Sequence, residues 1–135
     1  MVDATVKHID GMESFYDGMV VRARAELGVT SWGMQVFNLP AGFDQYPNHH
    51  HGDGAVDPGQ EELYIPLAGS GELSLNGDRY QLEPGVWARV GISQLRRIVP
   101  GGDGLQCLVV GGTPGRVFVP PTWTALGAAP PAMPD

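Results

Sequence analysis

Three of the four histidines in this 135-residue chain stand together as His49, His50 and His51. Side chains of an extended chain alternate between two faces, so His49 and His51 share one face and His50 lies on the other. Two imidazoles about 6–7 Å apart along one face can bind the same metal ion. The run therefore predicts two ligands of a metal site. A solvent-exposed polar tract is the alternative that the spacing alone leaves open.

Two adjacent carboxylates, Glu61 and Glu62, follow at the start of a predicted strand. In a regular strand they face opposite sides, so they do not form a paired acid–base dyad, and only one can join the histidines. Two histidines and one carboxylate, with further positions open, suit non-haem iron, and the same donors suit manganese, zinc or nickel. The residues alone leave open which glutamate belongs to the site, and whether both are simply solvated charges.

Turn signals divide the chain that must position these residues into short predicted strands. The sequence contains 20 Gly and 12 Pro, which argues against long helices. Asn76 and Gly77 between two alternating runs predict a β-hairpin. Strand candidates spaced about every 8–12 residues favour an all-β sandwich or barrel. In chain order, the predicted strands cover residues 20–25, 30–39, 61–67, 72–75, 79–82, 86–90, 95–99, 105–110 and 116–119.

Composition limits the partners and the location of the protein. A net charge of −7, a pI near 4.8 and the absence of a basic cluster argue against nucleic acid and anionic membrane surfaces as partners. No charged-then-apolar leader opens the chain and no apolar run of about 18 residues occurs, so we predict no membrane span and a cytoplasmic location. Cys107, the only cysteine, has apolar neighbours and is predicted to lie in the core.

The length fits one domain. We predict a β-barrel domain over residues 20–126, preceded by an N-terminal segment of mixed composition, 1–19. The Pro-rich residues 127–135 are predicted to form a loosely ordered C-terminal tail.

The stretch that contains the histidines and the glutamates resembles the first motif of the cupin superfamily. That motif runs Gly, a gap, His-x-His, a gap, Glu, six residues and Gly. In this sequence it falls on Gly42, His49, His51, Glu62 and Gly69, and the six-residue count selects the second of the two adjacent glutamates. The gap of ten residues between the second histidine and the glutamate is longer than the usual three or four, and a loop insertion of this kind is tolerated.

The resemblance extends from about residue 28 to residue 123, and over this span the chain is similar to small single-domain bacterial cupins. It implies an all-β double-stranded β-helix, or jelly roll, with a site inside the barrel. It also implies that His49, His51 and Glu62 bind a divalent metal ion such as Fe, Mn, Zn or Ni. The stretches that carry the resemblance are ELGVTSWGMQV, YPNHHH, GQEELYIPLAGSGEL, LNGDRYQLEPG and LVVGGTPG.

The second cupin motif departs from the pattern at its metal ligand. Aligned from Gly85, the motif proline falls on Gly91, its second glycine on Ser93, and its ligating histidine on Arg96. Arginine stays protonated and cannot coordinate a cation. The fourth ligand that the family implies is therefore missing.

Three orientations of Arg96 follow from its fixed positive charge. If it points into the barrel, it favours an anionic ligand through a bidentate contact with carboxylate or phosphate. It can instead form an ion pair with Glu62, which removes that carboxylate from a metal. A third alternative is that it points to solvent beside Arg97. Tyr64 shares the predicted inner face of Glu62, and we predict that Tyr64 and Arg96 contact the ligand.

The same alternation has a consequence for the outside of the barrel. If Glu62 faces inward, then Leu63, Ile65 and Leu67 face outward and need a cover. We predict that a second copy of the chain covers them in a homodimer, or that the N-terminal segment forms a lid. Pro66 lacks an N–H, so the strand is predicted to lie at an edge or to contain a bulge there.

Three functional interpretations remain open. The first is a small cupin that binds a divalent metal and a small organic ligand, an acidic one included, and acts as a metal-dependent oxygenase or isomerase. The second is a metal-free binding module in which Arg96 replaces the fourth ligand. The third is an interaction protein that uses only its outer sheet. The sequence does not decide whether the protein is an enzyme, since one fold serves many reactions.

Overall fold

The computed structural model describes residues 2–55 and 58–132, and antiparallel strands make up most of its regular structure. One short helix, α1 (Ala23–Leu27), and two single-turn 3₁₀ helices, Ile9–Gly11 and Thr122–Thr124, accompany them. The all-β prediction is therefore confirmed. The strands are β1 Ser14–Phe15, β2 Val20–Val21, β3 Gly33–Leu39, β4 Glu61–Leu75, β5 Asp78–Leu82, β6 Ala88–Val90 and β7 Arg96–Gly112.

All strands join one sheet in the order β1-β2-β3-β7-β4-β5, and β6 pairs with the first part of β4. Every pairing is antiparallel. Strands β4 and β7 form the central pair and run alongside each other for most of their length. The sheet therefore depends on two long strands that contribute to both halves of the barrel.

Both long strands continue through glycines that the sequence marks as breaks. The predicted strands 61–67 and 72–75 are one strand, β4, and those at 95–99 and 105–110 are one strand, β7. The β4–β7 register shifts between Pro66 and Ala68 and again between Gly69 and Gly71. Bulges of this kind bend a strand without ending it. The bulge that Pro66 predicts is confirmed.

The hairpin predicted at Asn76 and Gly77 is also confirmed. Leu75 pairs with Asp78, and the two turn residues have φ values of 53° and 89°. Two consecutive left-handed residues form a type I′ turn, whose twist matches that of the flanking strands.

Two predicted strands differ from the structure. In the first, 20–25, only Val20–Val21 is a strand, and the chain then forms helix α1, which ends at the left-handed Gly28. The helix has good helix formers and a glycine at its C-terminus, but five residues are too few to show a helical period. In the second, residues 116–119 are described throughout and form no strand. Phe118 is buried there, while Val117 and Val119 are exposed.

The barrel interior contains the main core. Its buried members include Tyr64, Leu73, Ile98 and Cys107, each no more than 1% exposed. Burial raises the pKa of the Cys107 thiol to about 12. The predicted burial of Cys107 is therefore confirmed, and a high thiol pKa makes it a poor nucleophile.

A second, smaller cluster lies on the other face of β3 and β7. Ile9 and Met12 of the N-terminal segment pack there against the cluster formed by Val21, Ala23 and Val36, which Leu108 also contacts. The N-terminal segment thus covers this part of the sheet. Leu67, which was predicted to need a cover, remains 46% exposed. The predicted homodimer stays a prediction.

The two ends of the chain are fastened to the sheet and to each other. Arg22 is 3% exposed and donates to the carboxylate of Glu13 and to the carbonyls of Trp123 and Ala128. Its guanidinium lies 4.7 Å from the centre of the Phe15 ring. Interlocked contacts of this kind join residues that the sequence assigns to separate segments.

The predicted segment boundaries fall on this interlocked region. The boundary after residue 19 lies within the β1–β2 pair. Residues 133–135 of the predicted tail lie outside the described residues. Within residues 2–55 and 58–132, no helix has the length and apolar character needed to cross a bilayer. The cytoplasmic location stays a prediction.

Candidate metal centre

The histidine run lies against the start of β7. The N–H of His49 donates to the carbonyl of Arg96 at 3.0 Å, and the N–H of Arg96 donates back to His49 at 2.9 Å. The N–H of His51 donates to the Ile92 carbonyl at 2.8 Å. The run is therefore held in extended form, which places the rings of His49 and His51 5.2 Å apart between their centroids. His50 accepts a hydrogen bond from the N–H of Gly52.

The structure brings His49, His51 and Glu62 together, with one ligand atom of each within 4.8 Å of the others. The Oε1 atom of Glu62 lies 3.1 Å from Nε2 of His51 and 4.0 Å from Nε2 of His49. Metal bonds of about 2.0–2.2 Å hold ligand atoms about 3–4 Å apart, so the two histidine–glutamate distances suit a metal ion, and the largest separation of up to 4.8 Å must shorten for all three residues to bind it. Glu61 instead contacts Arg89 at 2.5 Å. The structure therefore places Glu62, and not Glu61, beside the two histidines, and metal binding by these residues stays a prediction.

A hydrogen bond to the backbone orients the His49 ring so that its Nε2 lone pair is available to a metal ion. Its Nδ1 lies 3.1 Å from the carbonyl of Pro47, which accepts the ring proton. The proton is then on Nδ1, and Nε2 is free toward Glu62. Burial lowers the pKa of His49 below its usual value, although the Pro47 contact and Glu62 oppose the shift. The ring is therefore neutral at neutral pH, as a metal ligand must be.

Glu62 is held as a carboxylate. Burial alone would raise its pKa, but the hydrogen bond and charge of His51 and the hydrogen bond from Tyr64 outweigh burial and lower it. The Tyr64 hydroxyl donates to Oε1 at 2.9 Å. Burial raises the pKa of Tyr64 well above its usual value, so the phenol keeps its proton. Glu62 is thus a charged, oriented acceptor.

Arg96 points into the protein, so the solvent-facing alternative is wrong. Its side chain is 0% exposed, and Nη1 lies 3.8 Å from Oε1 of Glu62. Nη2 donates to the Gly91 carbonyl at 2.6 Å. Within the described residues, Nε and Nη1 have no hydrogen-bond partner. The guanidinium therefore lies close to Glu62 without a close hydrogen bond to it.

A cavity of about 610 Å³ opens beside the three residues. This volume is typical of small-molecule sites. Its walls come from the barrel strands, the β1–β2 hairpin and the C-terminal segment. The lining includes several aromatic side chains, namely Phe15, Tyr16, Phe37, Phe43, Tyr46, Phe118 and Trp123.

Arg96 and Tyr64 are not among the described lining residues. They contact Glu62 from behind. Direct contact of either with a ligand stays a prediction.

The sequence reasoning missed the hairpin and the C-terminal wall. One signal was available in the sequence, since an Asp-Gly pair such as Asp17-Gly18 favours a turn, and in the structure Tyr16, Asp17 and Gly18 have φ values of 53°, 56° and 84°. Non-glycine residues rarely adopt this conformation, and it often occurs at functional sites. Within the described residues, the buried Tyr16 hydroxyl and the Gln35 Oε1 have no hydrogen-bond partner. Both residues line the cavity.

Solved structures with a similar fold come from several bacteria, although no family model and no curated protein matches the sequence. A cupin protein from Bacteroides fragilis has a TM-score of 0.62 at 19% identity, over 90% of this chain and 93% of that chain. A protein from Photorhabdus luminescens has a TM-score of 0.59 at 14% identity, over 84% and 90% of the two chains. A putative sugar phosphate isomerase from Acidithiobacillus ferrooxidans has a TM-score of 0.51 at 25% identity, over 65% and 54%. The resemblance drawn from the sequence is therefore confirmed at the level of the fold, and the chain is a small cupin-fold protein.

Proposed function

We propose that the protein binds one divalent first-row metal ion through His49, His51 and Glu62 and acts on a small organic molecule in the adjoining cavity. The observation that carries this proposal is the convergence of the imidazoles of His49 and His51 and the carboxylate of Glu62 at the edge of an apolar cavity. A bound metal of this kind supplies Lewis-acid polarisation or oxygen activation.

The surrounding residues support the three ligands. The Pro47 carbonyl fixes the tautomer of His49, and the Tyr64 hydroxyl orients Glu62. Contacts of this kind around a site commonly affect metal affinity tenfold or more. The lining of the cavity is mostly apolar, and a low-dielectric wall strengthens the electrostatic contacts beside it.

Arg96 occupies the position of the missing fourth ligand and sets the charge of the site. Its guanidinium opposes a second positive charge near Glu62, so we expect a weaker metal site than one with four protein ligands. With three protein ligands, positions remain open for water and substrate on the cavity side. A putative sugar phosphate isomerase among the structural neighbours is compatible with isomerisation, and an oxygenase with two histidines and one carboxylate uses the same donors.

A metal-free binding module is the second candidate, and one contact favours it. The guanidinium of Arg96 lies 3.8 Å from the carboxylate and already balances its charge. In that case His51 and Glu62 form a hydrogen-bonded pair that contacts the ligand directly. A chelator then leaves ligand binding unchanged.

Metal loading of untagged protein distinguishes the two candidates. Protein stripped with a chelator is loaded separately with Fe(II), Mn(II), Zn(II) and Ni(II), desalted and analysed by inductively coupled plasma mass spectrometry. We expect about one equivalent of at least one metal, and loss of that equivalent in His51→Ala and in Glu62→Gln. His50→Ala is the matched control, since His50 lies on the other side of the run, and it keeps the metal. Wild-type loading no higher than that of His51→Ala would contradict the proposal.

A further inference from the structure

Beside Glu62, the next two strands of the sheet each have a glycine, so neither position has a side chain of its own to cover the backbone. Glu62 of β4 pairs with Gly111 of β7, and Gly111 pairs with Gly33 of β3. All three residues line the cavity. Adjacent strands lie about 4.8 Å apart, so this bare strip extends about 10 Å sideways from the carboxylate.

The side chains of Phe118 and Gln60 occupy the space beside these glycines. A Cβ at Gly33 would lie 3.1 Å from the Phe118 ring, which therefore lies directly on the β3 backbone. A Cβ at Gly111 would lie 2.6 Å from Oε1 of Gln60, so the Gln60 amide lies beside Glu62. The cavity wall near the three candidate ligands thus combines one aromatic ring with one neutral amide.

A second amide lies further along β3 on the same face. Gln35 is two residues from Gly33, lines the cavity and is only 8% exposed. Its Oε1 is buried without a hydrogen-bond partner among the described residues. A buried amide with no partner is costly, and a ligand that completes its hydrogen bond removes that cost. Gln35 is therefore a polar recognition point in the cavity wall.

Charge narrows the class of ligand further. Glu62 and Arg24 carry the formal charges among the described lining residues, apart from the histidines. Arg24 donates from Nη1 to the Val29 carbonyl at 2.9 Å, and its Nε has no hydrogen-bond partner within the described residues. Apart from Glu62, Arg24 and the histidines, the lining residues carry no formal charge and several of them are aromatic, which favours an aromatic ligand.

We infer that the cavity binds an uncharged aromatic molecule of one or two rings that carries a hydroxyl or carbonyl group. The ring packs against Phe118, and the polar group hydrogen-bonds to the amide of Gln35. Strand spacing puts the backbones at Glu62 and Gln35 about 12 Å apart, which leaves room for two fused rings between the side chains. The class of ligand is inferred from Gln35 and Phe118. The inference rests on the proposed function only in assigning the ligand's reacting group to the end of the cavity beside Glu62.

Equilibrium dialysis at pH 7 with two probes tests the hydrogen bond. The probes are 2-naphthol and naphthalene, which differ by one hydroxyl group. We expect 2-naphthol to bind about fivefold more tightly, the effect of one net hydrogen bond of about 1 kcal/mol. Gln35→Leu removes this preference and leaves the affinity for naphthalene at least as high. Gln81→Leu, at an exposed strand position, is the matched control and keeps the preference.

The ring site has its own pair of variants. Gly33→Ala displaces the Phe118 ring and is expected to weaken the binding of both probes at least fivefold. Gly112→Ala adds the same methyl group where nothing lies within 4 Å, so it leaves both affinities unchanged. Circular dichroism melting checks that each variant is folded. If Gly33→Ala does not fold, Phe118→Leu provides the same test of the ring contact.

Three results would overturn the inference. They are equal affinity for the two probes in wild type, an unchanged preference for 2-naphthol in Gln35→Leu, and tighter binding of 2-naphthoate than of 2-naphthol. Metal content separates this inference from the proposed function. Wild-type protein stripped of metal with a chelator is expected still to prefer 2-naphthol over naphthalene. Wild-type protein that fails to load metal but shows the Gln35-dependent preference contradicts the proposed function and supports the inference.

Discussion

At the scale of single residues, two of the candidate ligands are held by neighbours whose hydrogen bonds the sequence does not reveal. The Pro47 carbonyl fixes His49, and the Tyr64 hydroxyl holds Glu62. Ligand type and spacing are visible in a sequence because they follow a pattern. The neighbours depend on which atoms the fold brings within 3 Å, so no pattern predicts them.

Arg96 gives the first residue-scale prediction. Arg96→His removes a buried cation 3.8 Å from Glu62 and supplies an imidazole at the position of the missing ligand. We expect the affinity for Zn(II) or Mn(II) to rise at least tenfold, measured by competition with a chromogenic chelator. Arg97→His is the control, because Arg97 lies next in the strand and donates to the Asp44 carbonyl. An affinity for Arg96→His equal to or below that of wild type would count against the metal site.

At the scale of elements, the sequence predicted the positions of turns better than it predicted which strands continue through a bulge. The Asn76-Gly77 hairpin was predictable because both residues favour left-handed conformations. The join of two predicted strands into β4 was not, because Gly69, Ser70 and Gly71 resemble a loop. Only the pairing with β7 makes these residues a bulge within one strand. Tertiary contact therefore decided what local preference left open.

The close approach of β4 and β7 at the Gly69 bulge gives a stability prediction. Gly69 has a φ of 75°, and a Cβ there would overlap the carbonyl oxygen of Gly104. Left-handed strain and overpacking together predict that Gly69→Ala lowers the free energy of unfolding by about 2–4 kcal/mol. Urea unfolding followed by circular dichroism measures it. Gly102→Ala is the control, because a Cβ at that position meets nothing within 4 Å. Equal stability of the two variants would show that Gly69 does not need to be a glycine for close packing against Gly104.

The contact between the two ends of the chain predicts a dependence on pH. The hydrogen bond from Arg22, followed by that from the Gly127 N–H, lowers the pKa of Glu13 below 4.5. A carboxyl whose pKa is lower in the fold stabilises it above pH 4.5, and this stabilisation is lost as the pH falls through the folded pKa. We therefore expect the free energy of unfolding to fall less steeply below pH 4.5 in Glu13→Gln than in wild type.

Urea titrations at a series of pH values test this link. Glu72→Gln removes an exposed carboxylate that pairs with Arg79, and it is expected to follow the wild-type curve. Identical curves for Glu13→Gln and wild type would show that the Glu13–Arg22 contact does not stabilise the fold.

At the scale of the whole molecule, the N-terminal segment covers only part of the outer sheet. Ile9 and Met12 pack over β3 and β7, whereas Leu67 and Trp87 are 46% and 66% exposed. Apolar residues exposed on a sheet favour association with a second copy. The cupin fold and the presence of a histidine–glutamate cluster could be predicted from the motif. The packing of the N-terminal segment over β3 and β7 could not be predicted, because this segment carries no motif that indicates where it packs.

Light scattering coupled to size exclusion tests the predicted homodimer. We expect a mass near twice the 14.4 kDa of one chain. Leu67→Glu places a charge on the exposed surface and is expected to shift the mass toward the monomer. A monomeric wild type would overturn the homodimer and leave the N-terminal segment as the cover.

Anomalous diffraction at the histidines tests the central claim most directly. Crystals soaked in a manganese or zinc salt are measured on both sides of the metal absorption edge. The account predicts one anomalous peak within about 2.0–2.3 Å of Nε2 of His49, Nε2 of His51 and the carboxylate of Glu62. A map without a peak between these residues, or rings of His49 and His51 turned away from Glu62, would contradict it.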